Sequence, residues 1–193
     1  MKPNIAVIEG GFSSEAEISY KSAKTVRDNL NSEKYQIWQV IITEDKWIVL
    51  LDGTEIPIDK TDFSFINGNK ISFDAAFIMI HGTPGEDGKL QGYFDMLNIP
   101  YTGCNQFASA LTFNKFYCNK ALKSMGITCA NGVYLANKQF NTNDIIKEIG
   151  LPCFVKPADG GSSFGAGKVK SKDELEPAIL KAFNHGNSVI IEE

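Results

Sequence analysis

The chain has 193 residues and a formal net charge of −4, with a hydrophobic share of 43%, which suits one large globular domain or two small ones. It contains no run of the roughly 18 apolar residues that a membrane span needs, and its lysines are scattered rather than gathered into a basic stripe, which argues against nucleic acid as a partner. The apolar run at residues 5–8 is too short for a signal-peptide core, so a cytoplasmic protein is expected.

Residues 4–9 read as a short apolar strand that runs into Gly10-Gly11-Phe12-Ser13-Ser14, a strand-to-helix turn. Ser14 with Glu17 fits a capping box, and Ala23, Val26 and Leu30 continue at helical spacing. Residues 35–42 read as a second strand. Residues 47–51 and 54–58 flank Asp52-Gly53, a strong hairpin signal. Residues 75–80 form a continuous apolar strand of the buried parallel kind, followed by His81-Gly82-Thr83-Pro84-Gly85-Glu86-Asp87-Gly88 and a helix carrying Leu90, Tyr93, Phe94 and Leu97. Strand, loop and helix thus recur, which predicts a small α/β domain with a doubly wound parallel sheet. Loops after the carboxyl ends of such strands face one crevice, so the loops at residues 10–15 and 81–88 are expected to meet.

The second half reads as α+β. A helix is expected over residues 112–125 with Lys115 in its first turn, then a strand at 132–136, a helix at 143–149 and a strand at 153–156. A loop over residues 158–167 holds four glycines and two serines. A brief strand at 168–169, a helix capped by Ser171 and Glu174, and a last strand at 188–192 complete the reading. The boundary between the halves is expected near residues 102–105. Cys104, Cys118, Cys129 and Cys153 show no C-x-x-C spacing, and neither His81 nor His185 lies near a cysteine pair. Reduced thiols are therefore expected rather than a zinc site.

Lys156-Pro157-Ala158-Asp159-Gly160-Gly161-Ser162-Ser163-Phe164-Gly165 places a cation at a strand end just before a glycine-serine loop. Glycines let backbone N–H groups approach phosphate oxygens, and serine hydroxyls add donors. No G-K-[ST] follows, so this is not a P-loop; a mobile hairpin loop with a surface lysine is the plain alternative. Glu15 near a helix N-terminus is either a dipole-favoured helix-end acid or a carboxylate for a substrate ammonium group. His81 is a structural hydrogen-bonding residue or a second group in the same crevice. Lys115 is a solvated helix lysine or a phosphate-binding point charge. Asp87 reads as a helix cap, and Glu192-Glu193 as a solubilising strand edge.

Five segments in order carry a resemblance. They are Gly10-Gly11-x-Ser13-Ser14-Glu15-x-Glu17-Ile18-Ser19; His81-Gly82-x-Pro84-Gly85-Glu86-Asp87-Gly88-x-Leu90-Gln91-Gly92; Pro100-Tyr101-Thr102-Gly103; Ala108-Ser109-Ala110-Leu111 leading to Asn114-Lys115; and Lys156-Pro157 with Gly161-Ser162-Ser163-x-Gly165. Together they resemble the D-alanine–D-alanine ligase family of ATP-grasp enzymes over essentially the whole chain.

The resemblance implies an N-terminal substrate-binding α/β domain at residues 1–103, of the pre-ATP-grasp kind. It implies a central, first ATP-grasp subdomain at 104–193, with the C-terminal ATP-grasp domain missing. By the same resemblance Glu15 holds the ammonium of the first D-alanine and forms a catalytic network with Ser162, and His81 lines that substrate pocket. Lys115, Lys156, Gly161, Ser162 and Ser163 bind the ATP phosphates; Glu192 reaches the adenine amino group, and the backbone at Glu193 continues the adenine contact. The implied reaction joins two D-alanines through an acyl phosphate for peptidoglycan synthesis, using ATP with Mg2+ or Mn2+ whose ligands lie beyond residue 193. The fragment alone is expected to be inactive, and the implied assembly is a homodimer through the first domain. The alternatives are a D-alanine–D-lactate or other ATP-grasp ligase, or a non-catalytic nucleotide-binding fragment.

Overall fold

A computed structural model describes residues 2–161 and 164–193. The chain divides into two compact units, Met1–Ala110 and Leu111–Glu193.

In the first unit β1 (Asn4–Gly10) leads into α1 (Ala16–Asn29), β2 (Gln36–Ile42), a hairpin of β3 (Trp47–Leu51) and β4 (Thr54–Pro57), a second hairpin of β5 (Ser64–Asn67) and β6 (Asn69–Ser72), then β7 (Ala75–Ile78) and α2 (Lys89–Leu97). The main sheet has the order β4-β3-β2-β1-β7. Only β2, β1 and β7 run parallel; β3 and β4 join antiparallel. The expected parallel, doubly wound sheet is therefore corrected to a mixed one. The causes are local: the Thr43 N–H donates to the Lys46 carbonyl (2.9 Å) and closes the turn from β2 to β3, and Asp52 (φ 49°) and Gly53 (φ 81°) both take the left-handed conformation that closes the two-residue hairpin from β3 to β4, so both strands return without a crossover helix.

β1 lies inside the sheet between β2 and β7, and its residues from Ala6 to Gly10 are all buried, which is why it reads as an apolar run. Ala6 and Ile8 join a core that includes Val40, Ile42, Phe63, Phe65, Phe73, Leu90 and Phe94. Residues Ser19 and Ala23 of α1 are buried against the sheet. The Ser14–Glu17 capping box does not form. Glu15 is the N-cap residue, with no side-chain cap hydrogen bond, because Ser13 and not Ser14 turns its hydroxyl toward the chain end. The β5–β6 hairpin has no counterpart among the sequence expectations.

The expected helix over residues 112–125 is α4 (Lys115–Ser124), and a separate helix absent from the expectation, α3 (Gln106–Phe113), ends just before it. Asn114 between them is extended (φ −88°, ψ 107°), and its side chain accepts from the Tyr117 N–H, the N-cap geometry. The seam between units lies inside α3, later than residue 103, and Gly88 shows why the first turns of α3 belong to unit one. A Cβ there would stand 2.7 Å from the Gln106 carbonyl oxygen and 3.2 Å from the Ala110 Cβ.

The second unit continues with β8 (Gly132–Leu135), α5 (Thr142–Ile149), β9 (Cys153–Pro157), β10 (Gly167–Val169), α6 (Lys172–Phe183) and β11 (Val189–Glu192). Its antiparallel sheet has the order β10-β9-β11-β8. One face packs on α5 and α6 through Leu135, Ile145, Val155, Val169, Leu175, Ile179 and Ile191. On the other face Phe154, Lys156, Ile190 and Glu192 share a side by strand alternation and register. Phe116 of α4 stacks on Tyr134 there, with ring centroids 4.9 Å apart. No described helix is long and apolar enough to cross a membrane.

Candidate functional site

In the first unit the two strand-end loops are fastened together. The Phe12 N–H donates to the Thr83 carbonyl (2.9 Å), and the Ser13 hydroxyl donates to the His81 carbonyl (2.9 Å) while accepting from the Glu15 N–H (3.2 Å). Glu15 is 8% exposed and begins α1, its carbonyl accepting from the N–H groups of Ile18 and Ser19. A Cβ on Gly82 would lie 3.5 Å from Glu15 Oε2, so the carboxylate rests against the backbone of the opposite loop. The His81 ring reaches α1, with Nε2 3.3 Å from the Ser22 hydroxyl. Glu15 and the His81 ring thus both lie against the first turns of α1, on loops that leave the carboxyl ends of neighbouring strands.

Three further side chains shape this crevice. The Glu86 carboxylate accepts from the Gly82 N–H (2.7 Å), closing the turn of the second loop from within. Buried Gln91 donates from Nε2 to the Gly85 carbonyl (2.6 Å). Ser19 accepts from the Gly10 N–H (3.0 Å). Asp87 precedes the N-cap residue Gly88, which is in the left-handed region, and acts on α2 from there: its Oδ1 accepts from the Lys89 backbone N–H (3.3 Å) and its Oδ2 pairs with the Lys89 ammonium (2.5 Å). Ser22 carries no motif, but Glu15, Ser19 and Ser22 recur at i, i+4 and i+7. That spacing puts three polar side chains on one face of α1.

In the second unit Lys115 is the first residue of α4, and its backbone N–H donates to the Ala158 carbonyl (2.8 Å). Its ammonium donates to the Gly160 carbonyl (2.5 Å). Burial, and next the neighbouring charge of Lys156, holds the Lys115 pKa below the usual lysine value. Lys156 projects from the end of β9 and forms an ion pair with Glu192 of β11. Glu192 is buried, and its other oxygen accepts from Asn119 Nδ2 (2.8 Å). Asn119 lies four residues after Lys115, on the same face of α4; that spacing was the available sign of its role. A cleft of about 360 Å³ is lined by Lys115, Lys156, Pro157, Gly160, Gly161, Phe164 and Ala166, within the range of small-molecule sites.

Glu193 does not line this cleft. Its carboxylate accepts from the backbone and side-chain N–H groups of Asn131 (2.9 and 3.2 Å), which hold its pKa below the usual carboxylate value. Its backbone N–H donates to the Asn131 carbonyl (3.2 Å). Ser162 and Ser163 lie outside the described residues. Among the described residues no group of three or more His, Cys, Asp or Glu side chains is disposed to hold a metal ion. The four cysteines carry no disulfide.

Residues 55–104 match the family model described as D-ala D-ala ligase N-terminus, and residues 121–193 match that described as D-ala D-ala ligase C-terminus. The D-alanine–D-alanine ligases of Bacteroides fragilis and Phocaeicola vulgatus are 48% and 51% identical to the chain. In both cases the alignment covers 100% of this chain and 60% of the relative. Among solved structures, the D-alanyl-alanine synthetase A of Vibrio cholerae superposes with a TM-score of 0.89 at 30% identity, covering 99% of this chain and 59% of that one. The VanG D-Ala:D-Ser ligase of Enterococcus faecalis superposes with a TM-score of 0.86 at 35% identity, covering 100% of this chain and 63% of that one. The chain spans about 60% of the length of the curated relatives it matches.

Proposed function

Because the chain belongs to the D-alanine–D-alanine ligase family, we propose that it supplies the amino-acid-binding unit and the first nucleotide-binding unit of a cytoplasmic enzyme that joins two D-alanines at the expense of ATP. The observation that carries this reading is the second unit's cleft, in which two lysines from different elements face a glycine-rich loop.

The chemistry follows from the charges. A carboxylate is a poor electrophile; transfer of the γ-phosphoryl group to the carboxylate of the first D-alanine makes an acyl phosphate. The amine of the second D-alanine then attacks the acyl carbon, the C–N bond forms, and the C–O bond to phosphate breaks. Negative charge grows on the transferring oxygens, and fixed cations stabilise it. An ammonium group has three donors. Lys115 uses one on Gly160 and Lys156 holds Glu192, which leaves donors on both for phosphate oxygens. The Glu192 carboxylate has about four lone-pair sites. Those not taken by Lys156 and Asn119 can accept the adenine amino group. Gly161, with Ser162 and Ser163, covers the phosphates; a covered acyl phosphate is kept from water.

In the first unit Glu15 accepts from the ammonium of the first D-alanine, and His81, held by Ser22, borders it. Charge-assisted contacts from two lysines contribute roughly 1.5–3 kcal/mol each, against association costs of about 4–15 kcal/mol. Residues 1–193 alone therefore bind ATP weakly and release no phosphate in a D-alanine-dependent way.

The test joins residues 1–193 to the remaining sequence of the Bacteroides fragilis relative and measures phosphate release from ATP. Release that requires D-alanine, and that Glu15→Gln abolishes, supports the reading. Release with ATP alone, or release unaffected by Glu15→Gln, overturns it. The related VanG protein, a D-Ala:D-Ser ligase, makes D-serine a competing second substrate in the same assay, to be tried beside D-lactate.

A further inference from the structure

The glycine-serine loop has two stems, and the structure holds them by different means. The incoming stem is fixed by hydrogen bonds: the Ala158 N–H donates to the Ser188 carbonyl (2.9 Å), the Ser188 hydroxyl donates to Asp159 Oδ1 (3.2 Å), and Lys115 donates to the Gly160 carbonyl (2.5 Å). The returning stem, just before β10, meets a ring. Phe164 stacks on His185 with centroids 6.4 Å apart and planes inclined by 26°. Gly165 lies so close to the same imidazole that a Cβ there would stand 2.9 Å from His185 Cδ2 and 3.1 Å from His185 Cβ. Gly165 is also at φ 74°, where side chains are disfavoured.

His185 belongs to the connection between α6 and β11, outside every motif that carries the family resemblance, and it is exposed. Phe164 is 51% exposed. Two rings so open to water add little to the core, so the contact acts on the loop that bears one of them. Stacked or offset ring pairs favour association by a few-fold to about tenfold. That is enough to bias a short loop between a seated and a lifted position, and too little to decide whether the domain folds.

We propose that His185 is the positioning residue on which the returning stem of the glycine-serine loop seats, so that Phe164 and Gly165 come to rest beside the lysine-lined cleft. The proposal rests on the reading of that loop as a cover for phosphate. His185 touches no reacting atom; it acts through Phe164 and Gly165, and what it requires of position 185 is a flat ring.

Amide hydrogen exchange on the 193-residue chain tests this. His185→Ala speeds exchange at residues 164–167 about tenfold and leaves β11 and the core of α6 unchanged, while His185→Phe restores the original rate. Phe164→Ala reproduces the effect from the loop side, and the double variant is no faster than either single one. The proposal is overturned if His185→Ala leaves the loop rates unchanged, if His185→Phe exchanges as fast as His185→Ala, or if the two alanine effects simply multiply. Should His185→Ala destabilise the whole unit, the comparison of Phe164→Ala with wild type decides alone: faster loop exchange supports the seat, and unchanged exchange sinks it. Inorganic tripolyphosphate at millimolar concentration separates the underlying reading. Slower loop exchange on its addition to the wild-type chain supports phosphate as the loop's ligand. No slowing counts against phosphate while the contrast between the position-185 variants still judges the seat.

Discussion

Arg27, in the last turn of α1, places its guanidinium on the carboxylate of Glu9, which lies in β1 directly before Gly10. Glu9 is 1% exposed, and its other oxygen accepts from Gln39 Nε2 of β2 (2.5 Å). One buried acid therefore ties the far end of α1 to β1, from which the loop at residues 10–15 departs, and to β2 beside it. The near end of the same helix carries Glu15. Removing one partner leaves a buried charge uncompensated, which costs about 3–5 kcal/mol. Arg27→Ala is expected to lower the unfolding free energy in urea by about 3 kcal/mol, toward the low end because Arg27 is 20% exposed. Replacing both residues together, Glu9→Leu with Arg27→Met, is expected to cost less than Arg27→Ala alone. Equal or larger loss in the double variant would show that the pair stabilises by more than mutual compensation.

Features that depend on neighbours in the chain were legible. The strand-loop-helix units around Gly10 and His81 announce themselves by glycine placement and helical spacing, and the Asp52-Gly53 hairpin by its turn chemistry. The break at Asn114 was hidden because the apolar spacing of α3 runs into α4, and one extended residue interrupts it without changing composition. The β5–β6 hairpin was missed although Gly68 takes φ 69° between Asn67 and Asn69; each strand is four residues long and partly polar, too short for alternation to register. In the candidate site, Glu15, His81, Lys115, Lys156 and Gly161 stand out by position in motifs, whereas Glu192 reads locally as a strand-edge acid and enters only through the resemblance. Their partners Ser22, Asn119 and Ser188 do not. Those contacts depend on which elements dock, a non-local fact that spacing along one element only hints at.

Tyr93 joins the β5–β6 region to the main core. Its hydroxyl donates to the Lys60 carbonyl (2.8 Å), and its ring packs edge-on against Trp47 and Phe63. Burial first, then the charges of Asp62 and Asp59, pushes its pKa up to about 12 from 10.0. Between those values the folded state retains a proton that the unfolded state releases. Folding stability is therefore expected to decline as pH rises from about 10 toward 12. Tyr93→Phe should flatten that decline while costing about 1 kcal/mol at neutral pH for the lost hydrogen bond. Ultraviolet titration of phenolate gives the direct check: one tyrosine should ionise well after the exposed ones. Simultaneous ionisation of all six below pH 11 (about one unit above the ordinary phenol value) would contradict it.

Gly82 marks where the two loops of the first unit meet. It has φ 72°, and a Cβ there would stand 2.8 Å from Ser13 Oγ and 3.0 Å from Ser13 Cβ. Gly82→Ala must therefore both strain the backbone and push away the serine that bridges Glu15 and His81. Gly53 supplies the control, with φ 81° and nothing within 4 Å of its added Cβ. Left-handed strain costs roughly 1–3 kcal/mol at either site. Gly82→Ala is expected to lower Tm more than Gly53→Ala, and it alone should abolish D-alanine-dependent turnover in the joined protein. Equal effects from the two substitutions would mean that the loop-to-loop contact is dispensable.

Lys115 ties stability to function in a way that pH can read. Burial and the charge of Lys156 disfavour its protonated form in the fold, so its pKa lies below the ordinary 10.5. Wherever the group is protonated in both states, the fold bears the full cost of holding the charge. As pH rises toward 10.5 the folded state releases its proton before the unfolded state does; the unfolded state then binds more protons, and stability rises. Lys115→Met keeps a long apolar stem and removes the charge. The variant also loses the hydrogen bond to Gly160, a cost of about 1–3 kcal/mol for a charged donor. It is largest while the ammonium is charged, and it enters the same titration, so the slope reports the net of the charge penalty and this hydrogen bond. Measured as variant minus wild type, the unfolding free energy is expected to be most favourable to Lys115→Met near neutral pH and to fall as pH approaches 10.5. A difference that stays flat or grows over that interval would mean that the ammonium sits comfortably where it is, and that the second unit holds the lysine of its cleft at no cost to the fold.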